Sequence, residues 1–228
     1  MPGAESGEWP MSGLDLSALM AGTWRPVPFS ELVLKIHGRC NLACDYCYVY
    51  ESADQTWRGR PAAMPPGVIA ATAVRLAEHA RAHDLTKVTV ILHGGEPLLA
   101  GRQALAAAVS RFRVAAPPSC QVEVSTQTNG VLLNDAMLAM LDEHDVGVSV
   151  SLDGDRAGHD RHRVRANGRG SHAEVMRGLN RLADTHRRLY RGLLCTVDLD
   201  NDPIRTYEAL LETGPPRIDF LLPHGTWT

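Results

Sequence analysis

Cys40, Cys44 and Cys47 place three thiols in one short segment at a C-x3-C-x2-C spacing. Thiolates select soft metals, zinc or iron–sulfur clusters, and three of them leave one metal coordination position free. Structural zinc usually takes a fourth Cys or His at a second knuckle spacing. A disulfide would strand an odd thiol in a segment with no secretory context. Both readings fit poorly, so the vacant position is the feature to explain. Tyr46, just before the last cysteine, reads as a core tyrosine or as a neighbour of whatever the thiols hold.

Four further clusters carry groups that could bind. His93-Gly94-Gly95-Glu96-Pro97 reads as a turn, because paired glycines break a strand and proline ends any regular element there. It reads equally as a ligand cradle, since glycines let the backbone approach a ligand and Glu96 offers a carboxylate to an ammonium group. Residues 125–130, with Gln127 and Asn129, end in an Asn-Gly turn signal. Residues 149–154, with Ser151 and Asp153, lead to His159, Asp160 and Arg163. The flanking Arg156, Arg161, Arg165 and Arg169 are expected to be solvated charges of a polar loop. Asp198 and Asn201 read as loop residues or as ligand contacts on equal terms.

The elements that must position these clusters are read from periodicity. Residues 32–36 predict a first strand with the cysteine loop at its carboxyl end, where α/β folds place their chemistry. Pro65-Pro66 opens a helix whose Ile69, Ala73, Leu76, Ala77 and Ala80 fall on one face. Strands are expected at 87–92, 121–126, 146–152, 192–197 and 218–222, with helices between them. Asn134 caps one helix, Ser171 with Glu174 spells a capping box for another, and Asp202-Pro203 starts a further one. This alternation implies a parallel sheet with right-handed crossovers. Periodicity alone does not choose between an open sheet and an incomplete barrel. Residues 1–30, rich in Gly, Pro and Ser and holding Trp9 and Trp24, read as an irregular N-terminal arm before one domain over 31–228.

A net charge of -3 gives no reason to expect a nucleic-acid or anionic membrane partner. The N-terminus shows no signal peptide, and no stretch approaches the roughly 20 apolar residues of a membrane span. A cytoplasmic location is expected, where thiols stay available to a metal. Cys120 and Cys195 stand alone and read as buried small hydrophobes.

Residues 40–48 resemble the cluster loop of radical S-adenosylmethionine (SAM) enzymes. In that family three cysteines hold a 4Fe-4S cluster, and SAM chelates the fourth iron. The resemblance implies Cys40, Cys44 and Cys47 as ligands and Tyr46 as an adenine neighbour. Gly94, Gly95, Glu96 and Pro97 look like the GGE motif that binds the amino group of SAM. Gln127 and Asn129 are similar to a Q-T-N-G segment that contacts SAM or organises its pocket. Residues 151–163 resemble the S-L-D-G-x4-H-D-x2-R segment of sulfatase-maturating and related enzymes. There Ser151 would meet the ribose, Asp153 would belong to the same pocket, and Arg163 would pair with the SAM carboxylate. The implied fold is α/β, a partial (β/α)6 barrel with a parallel sheet and a last helix missing or short.

Within the superfamily the resemblance runs over about residues 29–223 and points to SPASM-type peptide maturases, most of all the FxsB-like enzymes. Met64-Pro65-Pro66 and residues 92–99 and 219–224 carry it. It implies a 5′-deoxyadenosyl radical that abstracts hydrogen from a ribosomally made precursor peptide and forms a side-chain crosslink. A flavodoxin or ferredoxin is the implied electron donor. No cysteine follows Cys195, so no auxiliary-cluster SPASM domain is expected in this chain. Three alternatives stand beside this one: an anaerobic sulfatase-maturating, formylglycine-forming enzyme, a catalytically silent module that binds SAM and cluster, and a zinc-stabilised domain.

Overall fold

The computed structural model describes residues 15–22, 25 and 27–222. Trp9, Trp24, the end of the 219–224 motif and the expected shortness of a last helix lie outside them. Six strands, β1 (Glu31–His37), β2 (Lys87–Gly94), β3 (Gln121–Thr128), β4 (Val146–Ser151), β5 (Tyr190–Thr196) and β6 (Ile218–Leu221), form one sheet in the order β1-β2-β3-β4-β5-β6. Every neighbouring pair is parallel. The N-terminal segment holds α1 (Leu16–Ala21), and the crossovers are α2 (Pro66–Ala82), α3 (Arg102–Ala115), α4 (Asp135–Glu143), α5 (Arg156–His162) with α6 (His172–Thr185), and α7 (Pro203–Leu211). This is the parallel α/β architecture expected of a partial (β/α)6 barrel. No helix among the described residues is long and apolar enough to cross a membrane.

The strands alternate because their two faces meet different surroundings. Val88, Val90 and Leu92 of β2 and Val122 and Val124 of β3 are buried in one core with Leu105, Val109 and Phe112 of α3. The opposite face carries His93, Ser125, Gln127 and Ser149, all half-buried. Helix α2 buries Ile69, Ala73, Leu76, Ala77 and Ala80, the five positions its spacing marks out. Asn134 and Asp202 cap their helices as expected, each side chain accepting a first-turn N–H.

Five expectations need correction. The N-terminal arm is not wholly irregular, since Asp15 caps the short α1. The polar stretch after β4 is helical: Asp155 accepts the Gly158 N–H at 2.9 Å and starts α5. Its buried positions are Gly158 and His159, so the segment shows no apolar period to reveal it. Ser171 and Glu174 make no capping box. The Ser171 hydroxyl donates instead to the Arg163 carbonyl at 2.6 Å, Glu174 pairs with Arg165 and Arg169, and Asp160 accepts the His172 N–H at 2.8 Å. Arg165 is thereby half-buried rather than a solvated loop charge. Finally, β3 runs two residues past its expected end, because Gln127 and Thr128 still have partners in Ser149 and Val150.

Leu138 is wholly buried and Val114 is 82% exposed. Leu138→Ala should cost about 2–5 kcal/mol in denaturant unfolding. Val114→Ala should change stability by no more than about 0.5 kcal/mol. Equal losses would contradict the placement of the core.

Candidate active site at the carboxyl ends of the strands

All five clusters identified in the sequence arrive at the same edge of the sheet, because parallel strands put their carboxyl ends together. The cysteine segment leaves β1 as a tight loop. The Cys47 N–H donates to the Cys44 carbonyl at 3.1 Å, the Glu51 N–H to the Cys47 carbonyl at 2.8 Å, and the Ala43 N–H to the Val164 carbonyl at 2.7 Å. From the other side, Gly95 and Glu96 donate their N–H groups to the His37 and Arg39 carbonyls, each at 2.9 Å. This approach is open only to glycine. A side chain at Gly94, whose φ is +153°, would strike the His37 carbonyl, and one at Gly95 would strike Arg39 and the Tyr50 hydroxyl.

Glu96 is wholly buried and braces two strands. One carboxylate oxygen accepts from the Leu98 N–H at 2.9 Å and the Thr128 hydroxyl at 2.7 Å, and the other accepts from the Asn129 N–H at 2.8 Å. The Asn129 side chain then donates to Asn41 at 2.7 Å and lies 3.6 Å from the Cys40 sulfur. Pro97 opens the turn that Glu96 caps. Burial pushes the Glu96 carboxyl up to about 7, against the pull of its three hydrogen bonds.

Asp153 is the second brace, and it is 2% exposed. It accepts from the Tyr46 hydroxyl, from Arg163 Nε at 2.7 Å and from the Thr196 N–H at 2.9 Å. The Arg163 guanidinium lies 5.5 Å from the centre of the Tyr46 ring. Burial alone would lower the Arg163 pKa, but Asp153 and Tyr46 reverse this and the net shift is upward. A buried relay supports the pair. The Asp153 N–H donates to His159 Nδ1 at 3.3 Å, which leaves Nε2 as the donor to Ser171, and Ser171 donates on to the Arg163 carbonyl. Burial, with help from Arg163, holds His159 down near 4, so the ring stays neutral.

Gln127 Nε2 donates to Ser151 Oγ at 3.0 Å, joining β3 and β4 on the half-buried face. Asp198 lies farther out, accepting from Arg161 and meeting His162 Nε2 at 3.2 Å, while His162 Nδ1 meets Asp45 of the cysteine loop at 2.8 Å. These residues from separate strands thus meet at one edge of the sheet. Those that sequence reasoning missed are Asn41, Tyr50, Thr128, His159, Ser171 and Thr196. His159 had a signal in its place in the H-D-x2-R run, and Asn41 and Thr128 lay inside the 40–48 and 125–130 segments. The others act through geometry that no spacing reveals.

The three thiols are free and line one cavity of about 510 Å³, with Arg39, Tyr50 and Trp57 also on its wall. Among the described residues no three His, Cys, Asp or Glu side chains converge closely enough to hold one metal ion. Burial pushes the Cys44 thiol up to about 12, opposed by Arg163, and raises Cys40 as well. A metal taken up by these thiols would have to displace their protons.

The two braces are open to test by substitution and by pH. Asp153→Ala leaves the Arg163 charge buried without a partner and should cost about 3–5 kcal/mol in denaturant unfolding. Asp198→Ala, at an ion pair whose Arg161 is 41% exposed, should cost no more than about 1 kcal/mol. For Glu96 the folded pKa lies above the unfolded value of 4.5, so the native chain binds the extra proton between 4.5 and about 7. Its stabilising contribution is therefore full below pH 4.5 and is lost as pH rises through about 7. The stability curve of Glu96→Gln should lack that decline; curves parallel to wild type over this window would rule it out.

The model of the Radical SAM superfamily matches residues 34–214. The serine-type anaerobic sulfatase-maturating enzyme of Klebsiella aerogenes is 34% identical over 157 residues, which is 69% of this chain and 37% of that protein. The enzyme of the same name from Bacteroides thetaiotaomicron is 29% identical over 209 residues, 89% of this chain and 48% of that one. The solved structure of native anSMEcpe with bound AdoMet has a TM-score of 0.74 at 23% identity, over 86% of this chain and 52% of that chain. A second structure of native anSMEcpe, with AdoMet and the Kp18Cys peptide, also gives 0.74. This chain thus spans about a third to a half of the length of these relatives. With the family match running across most of a six-stranded parallel sheet whose three loop cysteines share one cavity, the chain belongs to the Radical SAM superfamily.

Proposed function

We propose that this chain cleaves SAM reductively at a 4Fe-4S cluster on Cys40, Cys44 and Cys47 and takes a hydrogen atom from a ribosomally made precursor peptide, forming a side-chain crosslink. The observation that carries the first step is the cavity shared by three free thiols. When bound, cluster and SAM supply the one-electron chemistry that yields a 5′-deoxyadenosyl radical. The residues of the chain bind, orient and exclude water. Gly94 and Gly95 give a ligand amine access to backbone groups, with Pro97 fixing the turn after Glu96. Tyr46, held by Asp153, offers a fixed ring to an adenine. The Gln127–Ser151 pair offers polar atoms to a ribose, and Arg163, anchored through Nε, offers the rest of its guanidinium to a carboxylate. Asn129 steadies the loop at Cys40.

A peptide substrate is supported by the solved structure that holds the Kp18Cys peptide. A flavodoxin or ferredoxin is the electron donor this chemistry calls for. The names of the relatives favour a second reading, oxidation of a sulfatase Ser or Cys to formylglycine. A hydrazide reagent captures the aldehyde of that product and leaves a crosslinked peptide unlabelled.

Anaerobic reconstitution with iron and sulfide, then dithionite and SAM, should give cluster absorbance and 5′-deoxyadenosine. Cys44→Ala should lose both, whereas Cys195→Ala, at a buried core position, should keep them. Zinc retention without 5′-deoxyadenosine would overturn the proposal.

A further inference from the structure

Tyr50 stands just beyond the cysteine loop and is tied to it, its N–H donating to the Cys47 carbonyl at 3.1 Å. Its carbonyl accepts from Gln55 at 2.8 Å, and its ring meets Trp57 edge-on with centres 4.8 Å apart. The side chain is thus held from both ends, and it lines the cavity of Cys40, Cys44 and Cys47. Its hydroxyl is shut off from solvent and has no hydrogen-bond partner, the only such side-chain atom among the described residues. A buried hydroxyl without a partner is costly, and native chains rarely leave one so.

The surroundings of that hydroxyl identify what it lacks. On one side it packs against Gly95, where a side chain would displace it. The Glu96 oxygens are already taken by three donors of the chain itself. Tyr50 shares the wall of one cavity with all three cysteines, and sulfur there is an acceptor. Tyr48, by contrast, is 59% exposed and does not share this isolation from water.

We propose that the Tyr50 hydroxyl donates a hydrogen bond to the sulfur shell of the cluster held by Cys40 and Cys47 and so raises the cluster's reduction potential. The proposal rests on the reading of the three thiols as cluster ligands. Its physical basis is that reduction adds negative charge to the cluster, and a donor aimed at sulfur stabilises the more negative state. Tyr50 is in this sense a positioning residue for an electron, with no part in proton transfer.

The test compares wild type and Tyr50→Phe after anaerobic reconstitution, titrating the cluster potentiometrically without SAM, and melts both proteins before iron is added. The expected results are equal iron and sulfide content, a midpoint potential shifted negative in Tyr50→Phe, and a metal-free variant that melts no lower than wild type, because phenylalanine removes an unpaired buried hydroxyl. A fully loaded variant with an unchanged potential overturns the proposal, and a shift that appears only once SAM is added assigns the hydroxyl to SAM and overturns it as well. A metal-free variant that melts lower shows that the hydroxyl serves the fold, which also overturns it. Failure of both proteins to take up iron and sulfide removes the cluster reading itself.

Discussion

A carboxylate buried as deeply as Asp153 is costly unless its charge is matched, and the carboxyl edge of the sheet is arranged around that requirement. Arg163 matches the charge, while the Tyr46 hydroxyl and the Thr196 N–H donate to the same carboxylate. These partners come from three separate places: the end of α5, the cysteine loop and β5. Satisfying one buried charge therefore fixes the cysteine loop relative to two strand ends. The neutral His159 and Ser171 carry the constraint down to the start of α6 by fixing the Arg163 backbone.

Glu96 does the same work between β2 and β3, with backbone N–H groups in place of a cation. The difference shows in the electrostatics. Glu96 faces only dipoles and its burial wins, which pushes it up to about 7. Asn129 links this second brace to the cysteine loop through Cys40 and Asn41. With one brace on each side, the loop reaches its cofactors already organised, and little ordering entropy is left to lose on binding.

Much of this was legible in the sequence, for definable reasons. Ile69, Ala73, Leu76, Ala77 and Ala80 announce their helix because they are apolar, evenly spaced and packed on a sheet. Asn134 and Asp202 announce theirs because a cap acts within three residues. Ser171 with Glu174 misled for a related reason. The local pattern is a capping box, but both side chains have stronger partners elsewhere, a buried carbonyl and two arginines. Helix α5 was invisible because its inward face consists of Gly158 and His159, which carry no hydrophobic period.

The chemistry by itself lies in the chain's local order: the cysteine spacing, the paired glycines and the strand–helix alternation that must deliver both to one edge. Those features depend on neighbours a few residues apart, and such proximity is written directly in sequence. What only the tertiary structure decided is how the charges are paired. Asp153 and Arg163 are ten residues apart, yet Asp153 lies 107 from Tyr46 and 43 from Thr196, and Thr128 stands 32 from Glu96. Burial makes each of these pairings obligatory, and burial is a property of the packed sheet and its loops, since no short segment can exclude water alone. The unpaired Tyr50 hydroxyl belongs to the same class: only packing could show that it is dry and that it has no partner.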